Sequence, residues 1–463
     1  MNSFKQKILF FLKHPLVSGT LILTVTGLIS RLIGFFYRIY LSRLFGEEGM
    51  GIYQLISPVI ALSFSLCAAG YQTAVSKLSA EISATAATRY GADTRRPLWI
   101  SLLVSLPLSM ACTGVTYAFA TPIGEFVLHE PRTIPLLKII AFSFPFVGVH
   151  ACINGWFYGM KKAGLPSIAQ LVEQLTRVGC VYLLTYKDLS AGVTPNISVA
   201  VMGLSIGECV SMTFAVITFL PFMSRRGKAR PGKSIDLRNY RTMAHNLLAT
   251  ALPLTANRLV LTFLGSAENV AIPEMLRRHG YNTETALSVY GVLTGMALPL
   301  VFFPNALTGS LAVMLLPLIS ESFCLKEYRK MILLTRRTLK YCGLMGLLCM
   351  SVFVFLGRFL GKFLFHSLMA GECIRTLGFI CPFLYLDTTL SAILQGLGKS
   401  SKIFLINICS LGIRLAFVFY FVPLYGIKGY LWGMLAGQLL LSALYLHCLI
   451  ISFRACRTDR NEI

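Results

Sequence analysis

The chain has 463 residues, 55% of them hydrophobic and 13% charged, with a mean hydropathy of +0.69. Soluble globular proteins carry about 25% charged residues, so a water-soluble domain is excluded. The net charge of +23, from 42 Lys and Arg against 19 Asp and Glu, leaves a nucleic-acid binder or a membrane protein with basic cytoplasmic loops.

Lys5, Lys7 and Lys13 precede an apolar stretch with no small-residue cleavage site. It is read as an uncleaved first membrane span behind a short basic segment lying at the membrane surface. A span needs roughly 20 apolar residues. Twelve such segments follow, near 16–41, 52–70, 98–120, 134–158, 165–186, 197–223, 244–267, 286–317, 335–357, 374–395, 403–423 and 427–453. Lipid leaves backbone groups no partner outside the segment, so each is expected to be helical. Pro58, Pro145, Pro253, Pro299, Pro304 and Pro382 interrupt these spans. Pro304-Asn305 in span eight is the expected break.

The loops sort by charge. With both termini cytoplasmic, the cytoplasmic segments carry 27 basic and 7 acidic residues, and the exterior ones carry 10 and 9. This is the positive-inside pattern. It accounts for the basic excess without nucleic acid and places the protein in the cell membrane as a multi-pass chain. The largest exterior loop, about 268–285, is too short for a catalytic domain, so no enzyme is expected.

The basic segment 224–243 separates six spans from six, and the halves repeat. Gly159 precedes Arg177 by 18 residues, as Gly396 precedes Arg414. Gly51 precedes Glu81 by 30, as Gly291 precedes Glu321. Span six carries Gly203-x-x-x-Gly207-Glu208 and span twelve Gly433-x-x-x-Gly437-Gln438. Ser30-Arg31-Leu-Ile answers Asn257-Arg258-Leu-Val. A parallel duplication is expected, with lobes 1–223 and 244–463 joined by the 224–243 linker. Gly227-Lys-Ala-Arg-Pro-Gly-Lys-Ser234 inside the linker fits a P-loop pattern. It lacks the strand and helix that aim such a loop at phosphate, and is read as a solvated basic loop.

Thirteen cysteines are scattered singly from Cys67 to Cys456, and seven histidines form no ligand spacing. No metal site and no cofactor are expected. The informative groups are the charges inside spans, each costing about 2.5–3.5 kcal/mol at the bilayer centre unless it meets a partner or a cavity. Glu173 and Arg177 are spaced for an i,i+4 ion pair. Asp387 and Arg414 lie at similar depth on adjacent spans, which makes them expected partners. Glu173, Arg177, Glu208, Asn257, Asp387 and Arg414 are read as ion-coupling groups or structural ion pairs. Arg31, Arg38 and Arg258 have no acid one helical turn away. Arg31 and Arg258, repeat-equivalent and near mid-span, are expected to face each other across a central cleft. Arginine's planar fork suits phosphate oxygens, so the three are the candidate substrate-binding residues for a phosphate- or pyrophosphate-bearing ligand.

The run Ser30-Arg-Leu-Ile-Gly-Phe-Phe-Tyr-Arg38, Leu44-Phe-Gly46, the stretch from Gly51-Ile-Tyr-Gln-Leu to Lys77-Leu-Ser-Ala-Glu81, and Gln395-Gly-Leu-Gly-Lys399 carry a resemblance. They resemble the polysaccharide-exporter branch of the multidrug/oligosaccharidyl-lipid/polysaccharide flippase superfamily, near the stage V sporulation protein B group, over essentially the whole chain. The resemblance implies an all-α, polytopic, two-lobed transporter, V-shaped and monomeric. Its partners would be the lipid bilayer and an anionic lipid-linked sugar, an undecaprenyl-pyrophosphate oligosaccharide or peptidoglycan precursor turned from inner to outer leaflet by alternating access. Arg31 and Arg38 match two helix-one arginines of the related lipid II flippases, with the spacing one residue longer. Tyr53 stands where those carry an acid. The alternative is a multidrug or cation antiporter of the same fold, which would favour an acidic cleft.

Overall fold

The computed structural model describes residues 15–86, 94–224 and 237–461. Every element among them is helical: α1 Pro15–Leu55, α2 Ser57–Phe64, α3 Gly70–Ala86, α4 Arg96–Ala118, α5 Ile134–Ala141, α6 Phe144–Gly159, α7 Gly164–Ser190, α8 Ser198–Ser224, α9 Leu237–Arg278, α10 Thr283–Gly291, α11 Leu298–Phe302, α12 Asn305–Cys324, α13 Tyr328–Phe365, α14 Leu368–Leu377, α15 Cys381–Gly396, α16 Ser400–Tyr420 and α17 Ile427–Asn461, with short π and 3₁₀ turns between. Ten helices are long and apolar enough to cross a membrane, or eleven when the pair bent by 45° around residues 142–143 counts as one span. All twelve expected spans fall on helix. The fifth, α7, stays outside that apolar set because its interior carries Gln170, Glu173, Gln174 and Arg177. Span eight breaks where proline removes a backbone donor, with Phe303-Pro304 forming a turn between α11 and α12.

Packing divides the chain into two compact units. The first comprises the chain up to Gly34 with Ile56–Phe263, and the second Phe35–Leu55 with the chain from Leu264 on. The boundary expected at 224–243, of which 225–236 lie outside the described residues, is not where packing divides the chain. Instead α1 and α9 each contribute one end to each unit.

In the first unit, Trp156 and Phe157 on α6 meet Phe219 and Phe222 on α8 edge-on, with ring centroids 5.1–6.4 Å apart. The early part of α9 joins this core through Leu247 and Ala251 and through a 2.9 Å hydrogen bond between the Thr262 and Ser65 hydroxyls. In the second unit, Leu390, Ile393 and Leu394 on α15 pack with Leu315 and Ile319 on α12. The later part of α1 is held there by Arg43, which donates to the Phe363 and Leu364 carbonyls at 2.7 and 2.9 Å. Those carbonyls end α13 and lack partners within their own helix.

The repeat read from the sequence is visible in how these helices touch. α7 crosses α8 at Gly207, where a Cβ would lie 3.1 Å from the Glu173 carbonyl oxygen and 3.4 Å from Arg177 Cβ. α16 crosses α17 at Gly437, where a Cβ would lie 2.7 Å from Arg414 Cγ and 3.4 Å from the Ser410 carbonyl oxygen. Arginine and the residue four before it hold the same places in both crossings.

Candidate functional site

Several of the charges inside the helices gather into clusters within each unit. In the first unit, α6, α7 and α8 bring together His150, Glu173 and Glu208, whose ligand-type atoms lie within 4.8 Å of one another. Arg177 is ion-paired to Glu173 one turn away, as the spacing predicts. Glu208 Oε2 lies 3.8 Å from His150 Nδ1. His150 Nε2 sits 2.6 Å from Asn154 Nδ2 and 3.1 Å from Ser211 Oγ. An amide nitrogen only donates, so Nε2 accepts and the ring proton is on Nδ1, facing Glu208. Beside the cluster, a pocket of about 320 Å³ is lined by Ser57, Phe64, Phe144 and Leu204 and reaches Glu208.

The second unit separates what the sequence expected to pair. Arg414 does not meet Asp387. It donates twice to Glu268 Oε1, at 2.9 and 2.7 Å, and Tyr430 donates to the same oxygen at 3.0 Å. Asp387 instead accepts from Ser442 Oγ at 2.6 Å and from the Gln438 amide. The expectation failed because Glu268 had been assigned to an exterior loop. α9 runs on to Arg278 and turns that carboxylate inward, leaving its side chain 2% exposed.

His150 was missed for the opposite reason. It looked like a lone histidine, yet it stands nine residues before Gly159, as Asp387 stands nine before Gly396. Its partner Glu208 likewise answers Gln438, the partner of Asp387. Each unit thus links its two repeat-equivalent helices through one carboxylate, on α8 in the first and on α15 in the second. At the Pro304 break, Asn305 Oδ1 accepts from Thr308 and Thr388 at 2.5 and 2.9 Å.

The candidate substrate arginines are distributed differently from the expectation. Arg31 and Arg258 both fall within the first unit, on α1 and α9, so they do not represent one lobe each. Both are exposed, as is Asn257, and among the described residues neither arginine forms an ion pair. Arg38 belongs to the second unit, is half-buried, and is already engaged by a neighbour.

The family described as polysaccharide biosynthesis protein matches residues 16–323. Stage V sporulation protein B of Bacillus subtilis (strain 168) is 26% identical over 435 residues, 94% of this chain and 83% of that one. The lipid II flippase MurJ of the same organism is 21% identical over 334 residues, 69% of this chain and 60% of that one. Among solved structures, an inward-facing multidrug resistance MATE family transporter of the MOP superfamily superposes with a TM-score of 0.70 at 15% identity, covering 93% of this chain and 96% of that one. This last likeness bears on fold alone.

Proposed function

Because the chain belongs to the polysaccharide biosynthesis protein family, we propose that it is a flippase for an anionic lipid-linked sugar. The cargo is an undecaprenyl-pyrophosphate oligosaccharide or peptidoglycan precursor, moved from the inner to the outer leaflet by alternating access. The observation that carries this reading is the pair Arg31 and Arg258, two exposed guanidinium groups on spanning helices that no carboxylate among the described residues neutralises. Such charges are costly in lipid and are balanced by a pyrophosphate, whose oxygens fit the guanidinium fork. Arg38 is the third substrate-binding residue. The polyprenyl tail stays in lipid while the headgroup passes, and no bond is made or broken. The chain acts as a monomer with both termini cytoplasmic, and the basic residues of 224–243 mark the cytoplasmic side.

The test is flipping of a fluorescent undecaprenyl-pyrophosphate sugar by purified protein in vesicles. Arg31→Ala and Arg258→Ala each reduce flipping at least tenfold while leaving the melting temperature within a degree or so. Equal flipping by wild type and Arg31→Ala removes the arginine mechanism. Efflux of organic cations insensitive to Arg258→Ala would point to an antiporter instead.

A further inference from the structure

The cluster in the first unit does not balance its own charge. Glu173 and Glu208 bring two carboxylates and Arg177 one guanidinium, while His150 is held neutral by the hydrogen bond it accepts from Asn154. One negative charge remains, on the carboxylate that has no guanidinium. In a low-dielectric interior such a charge persists only beside a counter-ion, or disappears by taking a proton.

The two carboxylates are not equivalent. Glu173 is occupied by Arg177 and is absent from the pocket wall. Glu208 is the carboxylate of that wall, which Ser57, Ser63 and Ser143 also line. The remaining charged groups on the elements packed against α8 do not compete for it. Lys138 on α5 sits over the Tyr117 ring, 5.7 Å from its centroid. From α6 the group that faces Glu208 is His150, and from α7 the Glu173–Arg177 pair. Residues 57–67 contribute only neutral side chains to the wall.

We propose that Glu208 is a proton-exchange site. It takes one proton from water in the pocket and returns it to water once per transport cycle, with the His150 Nδ1–H facing the carboxylate and Glu173–Arg177 fixed. Two features favour a proton over an alkali cation. A ring nitrogen lies 3.8 Å from Glu208 Oε2, whereas hard cations choose oxygen ligands. The neighbouring Arg177 also repels a second permanent positive charge, while a proton simply removes the negative one. The link to transport rests on the flippase reading above; the protonation site itself does not.

The experiment therefore has a readout that needs no substrate. Full-length protein in lipid is titrated while infrared difference spectra record the carbonyl stretch of protonated carboxyl groups. Wild type shows a component that appears as the pH falls. It is absent in Glu208→Gln, shifted but present in Glu208→Asp, and retained in Asp387→Asn, which changes a buried acid of the other unit. Persistence of the full signal in Glu208→Gln overturns the assignment. So does its loss when sodium replaces potassium at fixed pH, which would mean a metal cation holds the site. With the fluorescent lipid-linked sugar, an imposed pH difference changes wild-type flipping at least threefold and leaves Glu208→Gln unchanged; an equal response in both overturns the coupling. Absence of any flipping by wild type with the infrared component intact counts against the flippase reading and leaves the proton site standing.

Discussion

Gly51 and Gly291 pack against each other, each with its missing side chain aimed at the other's helix. A Cβ on Gly51 would lie 2.2 Å from the Leu287 carbonyl oxygen, and one on Gly291 would lie 2.2 Å from that of Glu47. Each carbonyl belongs to the residue four before the opposing glycine, so the contact is reciprocal. Both residues lie in the second unit, so this crossing of α1 and α10 fastens the late part of α1 there. A methyl group on either must push two backbones apart, and overpacking of this kind costs about 1–3 kcal/mol. Gly51→Ala and Gly291→Ala each lower the melting temperature of the purified protein. The double variant, having already separated the helices once, loses less than the sum.

Glu268 and Arg414 form the buried ion pair of the second unit, with Tyr430 on the same carboxylate oxygen. Removing one partner strands the other in the interior, at about 3–5 kcal/mol. Glu268→Gln and Arg414→Gln are both expected to lower the melting temperature by several degrees. Glu268→Leu combined with Arg414→Leu lowers it less than either single change, because no charge is then orphaned. A double-mutant cycle on thermal melting measures the difference, and additive losses would show that the pair is not coupled.

Gly34 and Gly265 lie beside the points where α1 and α9 leave one unit for the other, at residues 34–35 and 263–264. A Cβ on either would meet nothing within 4 Å, so packing gives no reason for glycine there. Glycine in a helix interior is destabilising by about 0.5–1 kcal/mol relative to alanine. Gly34→Ala and Gly265→Ala are expected to raise the melting temperature slightly and to slow flipping several-fold. Unchanged flipping in the stabilised variants would remove any role for bending at these two sites.

Sidedness is testable with single cysteines on a cysteine-free background. Val193 follows α7 and is 57% exposed; Leu325 follows α12 and is 61% exposed. With both termini cytoplasmic, an impermeant maleimide added to intact cells labels Val193→Cys at once and Leu325→Cys only after permeabilisation. The reverse pattern inverts the topology.

The helical spans were legible because lipid enforces them: an apolar run with no water beside it has one way to satisfy its backbone. The packing of α7 on α8 and of α16 on α17 was legible too, since glycines four apart mark a close crossing and appear in both halves. The partner of Arg414 was not legible. Hydropathy falls at Glu268 as it would at a membrane edge, whereas the helix continues and buries the acid against Arg414 and Tyr430. Arg31 and Arg258 look symmetric in sequence, but α1 and α9 change units part-way along, which no local pattern reports. His150 was visible only through its repeat counterpart Asp387, whose chemistry differs.

The continuous helices α1 and α9 also alter what a break in the chain would mean. The segment 224–243 holds Arg225, Arg226, Lys228, Arg230, Lys233, Arg238 and Arg241, the residue types that a trypsin-like protease recognises. A nick there yields two fragments, yet neither corresponds to a unit. The amino-terminal fragment carries Phe35–Leu55 of the second unit, and the carboxy-terminal fragment carries the part of α9 that completes the first. Each fragment alone is missing a piece of its core and holds a piece of its counterpart's. A nicked molecule therefore keeps the core of each unit complete only while both fragments remain together.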